Sequence, residues 1–181
     1  MTEEDRDHKE SIRTRYNATT PHYERRYSET QRNKHPILLD MIRPRPGERI
    51  LDWGCGTGTA IPFLDLHSPR YIGLDFSTGM LSLLKNRFPG RDLVLADCER
   101  MPFRPAVFDA LLGATVIQNA PSKHRALSEI ARVLKPGGRA VISYPKKTET
   151  KIPGVEEMKL AVIENRACDE DIAVLLRKTD R

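Results

Sequence analysis

Three aspartates and three glycines carry the chemistry this sequence can do. In the stretch RILDWGCGTGTA, Asp52 ends an apolar run, and Gly54, Gly56 and Gly58 follow at alternate positions. Glycines at that spacing let the backbone turn tightly and let a ligand approach without meeting a Cβ. A phosphate-gripping loop needs G-x-x-x-x-G-K-[ST], and no lysine follows here. A dinucleotide fingerprint needs G-x-G-x-x-G, and position 59 is a threonine. Asp75 ends a second apolar run, YIGLD, and Asp97 ends a third, DLVLAD. A carboxylate at the tip of the second strand can accept both hydroxyls of a ribose and repels a 2′-phosphate. The pattern points to a nucleoside ligand without a pyrophosphate.

The elements that must position these residues follow from periodicity. Short apolar runs at 49–53, 71–75, 92–97, 107–115 and 139–145 read as strands. Helical patterns lie between them: 57–66, then 77–88 capped by Ser77, then 122–134 capped by Ser122 and stopped by KPGG. Alternation of this kind predicts an α/β, doubly wound, mostly parallel sheet with helices on both faces. The stretch 154–167 reads as a helix, or as a short helix running into a strand. With a final strand at 171–178, an antiparallel C-terminal hairpin is expected. Ahead of the core, a helix starting at Thr2 and a second short helix at 33–42 are predicted. Two segments result: a helical arm or lid over 1–32, and a ligand-binding domain over 33–181.

Composition narrows the function. The 181 residues carry a net charge of +5, with basic residues spread along the chain. That permits an acidic partner without demanding one. Cys55, Cys98 and Cys168 show no metal-type spacing, and the histidines form no paired ligand set, so neither a metal nor a disulfide framework is expected. No apolar run reaches the length of a membrane span, and the charged N-terminus lacks a signal-peptide core. A cytoplasmic location is the expectation.

The stretches ILDWGCGTGTA, YIGLDFSTGML, ADCERMPF, FDALLGATVIQNA and ALSEIARVLKPGG appear in that order. Together they resemble the class I S-adenosylmethionine-dependent methyltransferases, over roughly residues 35–178. The branch they resemble includes the ubiquinone and menaquinone biosynthesis enzymes. The resemblance implies a Rossmann-like fold and S-adenosyl-L-methionine as cofactor. It places Gly54, Gly56 and Gly58 against the methionine part, with Cys55 between them, and Asp52 near its ammonium. It gives the ribose hydroxyls to Asp75, sets Phe76 beside the adenine, and gives the adenine amino group to Asp97 with the Cys98 backbone. Residues 113–118, Ala114 among them, would line the place where the methyl leaves. The family often has a histidine where this chain has Gln118, and a smaller residue where it has Trp53.

The implied reaction is methyl transfer to a small-molecule acceptor by in-line displacement. Tyr16, His22, Tyr23 and Gln118 are the candidates to orient or deprotonate that acceptor. The [NDS]-P-P-[YFW] signature of amine methylation on bases is absent after the fourth strand, which argues against DNA. RNA as acceptor stays open on charge alone, and so does a cofactor-binding module of little activity. Tyr16, Tyr23 and Tyr27 lie in the polar arm, where aromatic rings could cover an apolar ligand.

Overall fold

The computed structural model describes residues 2–147, 152 and 154–179, without the side chains of 19–30. It opens on one long helix, α1 (Glu3–Ile42), where two helices were expected. A capping box starts it: the Thr2 hydroxyl accepts from the Asp5 N–H while the Asp5 carboxylate accepts from the Thr2 N–H. No glycine occurs before Gly47, so nothing of that kind stops the helix until Arg43 takes a left-handed turn ahead of Pro44.

The strands are β1 (Arg49–Trp53), β2 (Arg70–Asp75), β3 (Asp92–Leu95), β4 (Phe108–Ala114), β5 (Leu134–Pro145), β6 (Leu160–Cys168) and β7 (Asp171–Lys178). They form a sheet in the order β3-β2-β1-β4-β5-β7-β6. The first five run parallel, and β7 pairs antiparallel with β5 and β6. The expected C-terminal hairpin is present, and residues 155–158 form a single short 3-10 turn before it. Helices α2 (Ile61–Leu64), α3 (Thr78–Arg87) and α4 (Lys123–Val133) lie between the strands, with short 3-10 turns at Asp65–His67 and Ile117–Asn119. The helix expected at 57–66 shrinks to α2 because left-handed glycines hold the preceding turn open. Ser77 and Ser122 cap α3 and α4 as predicted, each accepting from the N–H three residues on.

One apolar layer packs α4 and the hairpin on one sheet face, through Trp53, Phe108, Leu127 and Ile130. The other packs α1, α2 and α3, through Leu38, Ile42, Ile61 and Leu84. Strand β1 lies between β2 and β4, so the strand order reverses at β1. A crevice forms outside the carboxyl ends of parallel strands at such a point.

Candidate cofactor and acceptor site

A cavity lies at that crevice. Its floor is Gly54 and Gly56, its sides are Asp75, Phe76 and residues 96–98, and its far wall is residues 114–116 and 119–121. Its roof is α1, through Lys9, Ile12 and Tyr16, which share one helical face at i, i+3 and i+7.

The glycine loop is built for close approach. Gly54 has φ +72°, and a Cβ there would lie 2.4 Å from Val116 Cγ2. Gly58 has φ +81°, and its Cβ would press on Leu84 and Ile61; it serves the packing of loop on helix and lies outside the cavity lining. Asp75 is half-buried in the cavity wall. Its Oδ2 accepts from the Gly56 N–H at 2.9 Å and its Oδ1 from the Ser77 N–H at 2.9 Å. Burial pushes its carboxyl above the usual range, and those N–H groups oppose the rise. A ring edge joins α1 to this wall: Tyr16 meets Phe76 edge-on at 6.4 Å.

Asp97 accepts from the Glu99 N–H through Oδ1 and from Lys9 Nζ through Oδ2, at 2.9 and 2.6 Å. Lys9 also reaches Glu99 at 2.8 Å, so one ammonium ties α1 to two carboxylates. Asn17 extends the seam by accepting from Ser77 Oγ and from the Gly79 N–H. Asn119 donates to the Tyr16 hydroxyl, and burial raises the Tyr16 phenol above its ordinary value.

Not every expected residue reaches the cavity. Asp52 is buried below it and accepts from the Tyr71 hydroxyl at 3.0 Å; burial pushes its carboxyl up to about 7. Cys55 is buried beside it, its thiol raised well above the usual range by burial. The Cys98 thiol, raised likewise, lines the wall. Gln118 folds back to donate to the Thr115 carbonyl at 2.6 Å and does not line the cavity. Trp53 is fully buried against Gly113. The side chains of His22, Tyr23 and Tyr27 lie outside the described residues.

Sequence reasoning missed a buried polar network behind the far wall. Asp171 Oδ2 accepts from Thr115 Oγ1, Ser143 Oγ and Lys34 Nζ at 2.8, 2.8 and 2.9 Å. Lys34 also donates to Thr115 Oγ1. Thr115 sits in the left-handed region at φ 59°, which a β-branched residue keeps only where its surroundings over-determine it. A lone lysine at 34 and an aspartate at 171 carry no spacing signal. Lys9 could have been found from the helical face it shares with Ile12 and Tyr16.

The residues present fit a nucleoside. A cavity-wall carboxylate sits at the second strand tip, an aromatic ring follows it, and the wall opposite is formed by Ala96 and Cys98 around a second carboxylate. No group of three or more histidine, cysteine or acidic residues among the described ones could hold a metal, and no described helix is long and apolar enough to cross a membrane.

Similar proteins are known by sequence and by fold. The profile of the family described as "Methyltransferase domain" matches residues 51–142, just over half of the chain. The demethylmenaquinone methyltransferase of Beutenbergia cavernae is 40% identical over 105 residues, covering 58% of this chain and 44% of that protein. A human protein named "Probable tRNA methyltransferase 9B" is 32% identical over 164 residues, covering 88% of this chain and 34% of that one. The chain thus spans less than half the length of these curated relatives. The fold matches Burkholderia thailandensis 1,6-didemethyltoxoflavin-N1-methyltransferase, solved with its substrate and S-adenosylhomocysteine. That match has a TM-score of 0.79 at 17% identity, covering 97% of this chain and 91% of the other.

Proposed function

The chain belongs to the class I S-adenosylmethionine-dependent methyltransferases, and on that premise we propose that it methylates a small, largely apolar acceptor of the reduced-quinone type. The observation that carries the reading is the roofed cavity. Asp75 holds one end of it, and the Ile12 and Tyr16 side chains of α1 close it above.

Bound S-adenosylmethionine would supply a methyl on a sulfonium, already a strong electrophile. What remains for the protein is holding, orienting and drying. In this reading Asp75 accepts from the ribose hydroxyls with the lone pairs its loop amides leave over. Phe76 covers one face of the adenine, and Asp97 accepts from its amino group. Asp52 acts from below, as a buried carboxyl that steadies the loop through Tyr71. Ile12 and Tyr16 exclude water from the reacting centre. The Tyr16 hydroxyl and Asn119 amide orient the acceptor's oxygen. No base stands at Gln118, because its amide is turned back to the Thr115 carbonyl.

The relative named from B. cavernae supports the acceptor class. A second reading, methylation of tRNA, is favoured by the human relative, whose likeness runs over far more of this chain. Transfer of labelled methyl separates them. The full protein is incubated with methyl-labelled S-adenosylmethionine and either dithionite-reduced demethylmenaquinone or bulk tRNA. Label in the organic extract supports the first reading, and label in the acid-precipitated RNA replaces it with the second.

A further inference from the structure

Basic residues scattered along the sequence are gathered by the topology onto one edge of the sheet. Arg49 and Arg70 begin β1 and β2 and are directly aligned partners in the parallel register. Arg139 of β5 is aligned with Arg177 near the end of β7. Arg43 and Arg45 lie in the turn leading into β1. With Arg139, Arg177 and the exposed Ile163, these two line a groove at the β5–β7–β6 corner. Like charges set opposite one another in a sheet cost stability unless something offsets them.

Little within the protein does so. Glu48 takes Arg139, accepting through both oxygens at 3.0 and 2.6 Å, and its Oε2 also accepts from the Arg45 backbone N–H at 2.9 Å, while the Arg45 guanidinium makes no ion pair with it. Asp109 takes Lys135 and the Arg49 N–H. Glu164 takes Arg166. Arg45, Arg49, Arg70 and Arg177 are exposed and have no ion pair among the described residues. The row runs from β2 through β1, β4 and β5 to β7, four strand spacings, or about 19 Å.

We propose that this amino-terminal edge of the sheet is a binding surface for the phosphate backbone of RNA. Three features select that partner. The cations are arginines, whose planar forks match phosphate oxygens in pairs. They follow a line across the strand ends, as a linear polyanion requires and a flat membrane does not. The groove gives the line a concave end. The edge lies at the opposite strand ends from the cavity, so this site stands apart from methyl transfer and does not depend on which acceptor is methylated.

The test is fluorescence anisotropy of a labelled 20-nucleotide single-stranded RNA with the full protein between 50 and 300 mM salt. Binding is expected in the micromolar range at 50 mM, weakening with a log–log salt slope of about −3 for four phosphate contacts. Replacing Arg45, Arg49, Arg70 and Arg177 together by serine should cost at least tenfold in affinity and remove about 2 or more from the slope. The control replaces Arg6, Arg32, Lys123 and Lys147 instead, which gives the same net charge and should cost less than threefold. S-adenosylhomocysteine affinity, read by calorimetry, reports that each variant is folded. If the quadruple variant unfolds, the Arg49→Ser/Arg177→Ser pair is used, with a loss of at least threefold expected. No binding at 50 mM salt, equal loss in the control, or equal affinity for polyglutamate would each overturn the proposal.

Discussion

Asp75 is held by its own loop, and in the proposed function it also holds the ligand. Its oxygens already accept from the Gly56 and Ser77 amides, so a ligand hydroxyl adds to an anchored carboxylate that needs no reorganisation. Charge-assisted hydrogen bonds contribute about 1.5–3 kcal/mol each. Asp75→Ala should therefore weaken S-adenosylhomocysteine binding at least tenfold by calorimetry. Asp75→Asn, which keeps one acceptor oxygen, should fall between the two. Asp52 predicts a pH effect of known sign. Its carboxyl titrates at about 7 when folded and near 3.9 in an unfolded chain. The folded state thus holds the extra proton, and this group's contribution is full below pH 3.9 and is lost as pH rises toward 7. His35 works the other way. Burial lowers its imidazole to about 4, so its contribution is lost as pH falls from 6.5. Urea melts should show Asp52→Asn gaining on the wild type between pH 5 and 8. A constant difference across that range would mean the carboxyl is ionised throughout.

At the scale of elements, α1 is both wall and clamp. Its C-terminal half is core, with Leu38 and Ile42 fully buried, and its N-terminal half roofs the cavity. Lys34 joins α1 to β7 by a buried ion pair with Asp171. Removing one partner of such a pair strands a buried charge at a cost of about 3–5 kcal/mol. Lys34→Met should lose stability of that order in urea, and Lys34→Met/Asp171→Leu should recover part of it. Removing residues 1–32 tests the roof. Affinity for S-adenosylhomocysteine should fall within about tenfold, while methyl transfer should fall about a hundredfold, because positioning and water exclusion are lost together. Normal turnover by the shortened protein would make the roof an appendage.

At the scale of the molecule, the parallel core was legible because β1, β2 and β3 are short apolar runs closed by Asp52, Asp75 and Asp97, with helical patterns between the runs that follow. The glycine loop was legible because its spacing fits neither phosphate motif. The continuity of α1 was not legible, since among the described side chains of its polar first thirty residues only Ile12 is buried. The stripe Lys9, Ile12, Tyr16 is thin beside the surrounding charge. The Lys34–Asp171–Thr115 network was hidden for another reason. Its members are 56 to 137 residues apart in sequence and meet only when β7 has been laid beside β5 and α1 across the sheet. The arginine edge was hidden likewise, since Arg45, Arg49, Arg70 and Arg177 belong to different segments of the chain and meet only through strand order.

The function proposed for this protein requires that the crevice at the β1–β2–β4 strand ends binds S-adenosylmethionine. Calorimetric titration of the full protein with S-adenosylhomocysteine, with NAD as the competing nucleotide, tests it most directly. The expected result is one site of micromolar affinity for S-adenosylhomocysteine, weakened in Asp75→Ala, and no measurable binding of NAD. Tighter binding of NAD, or S-adenosylhomocysteine binding that Asp75→Ala leaves unchanged, would contradict it.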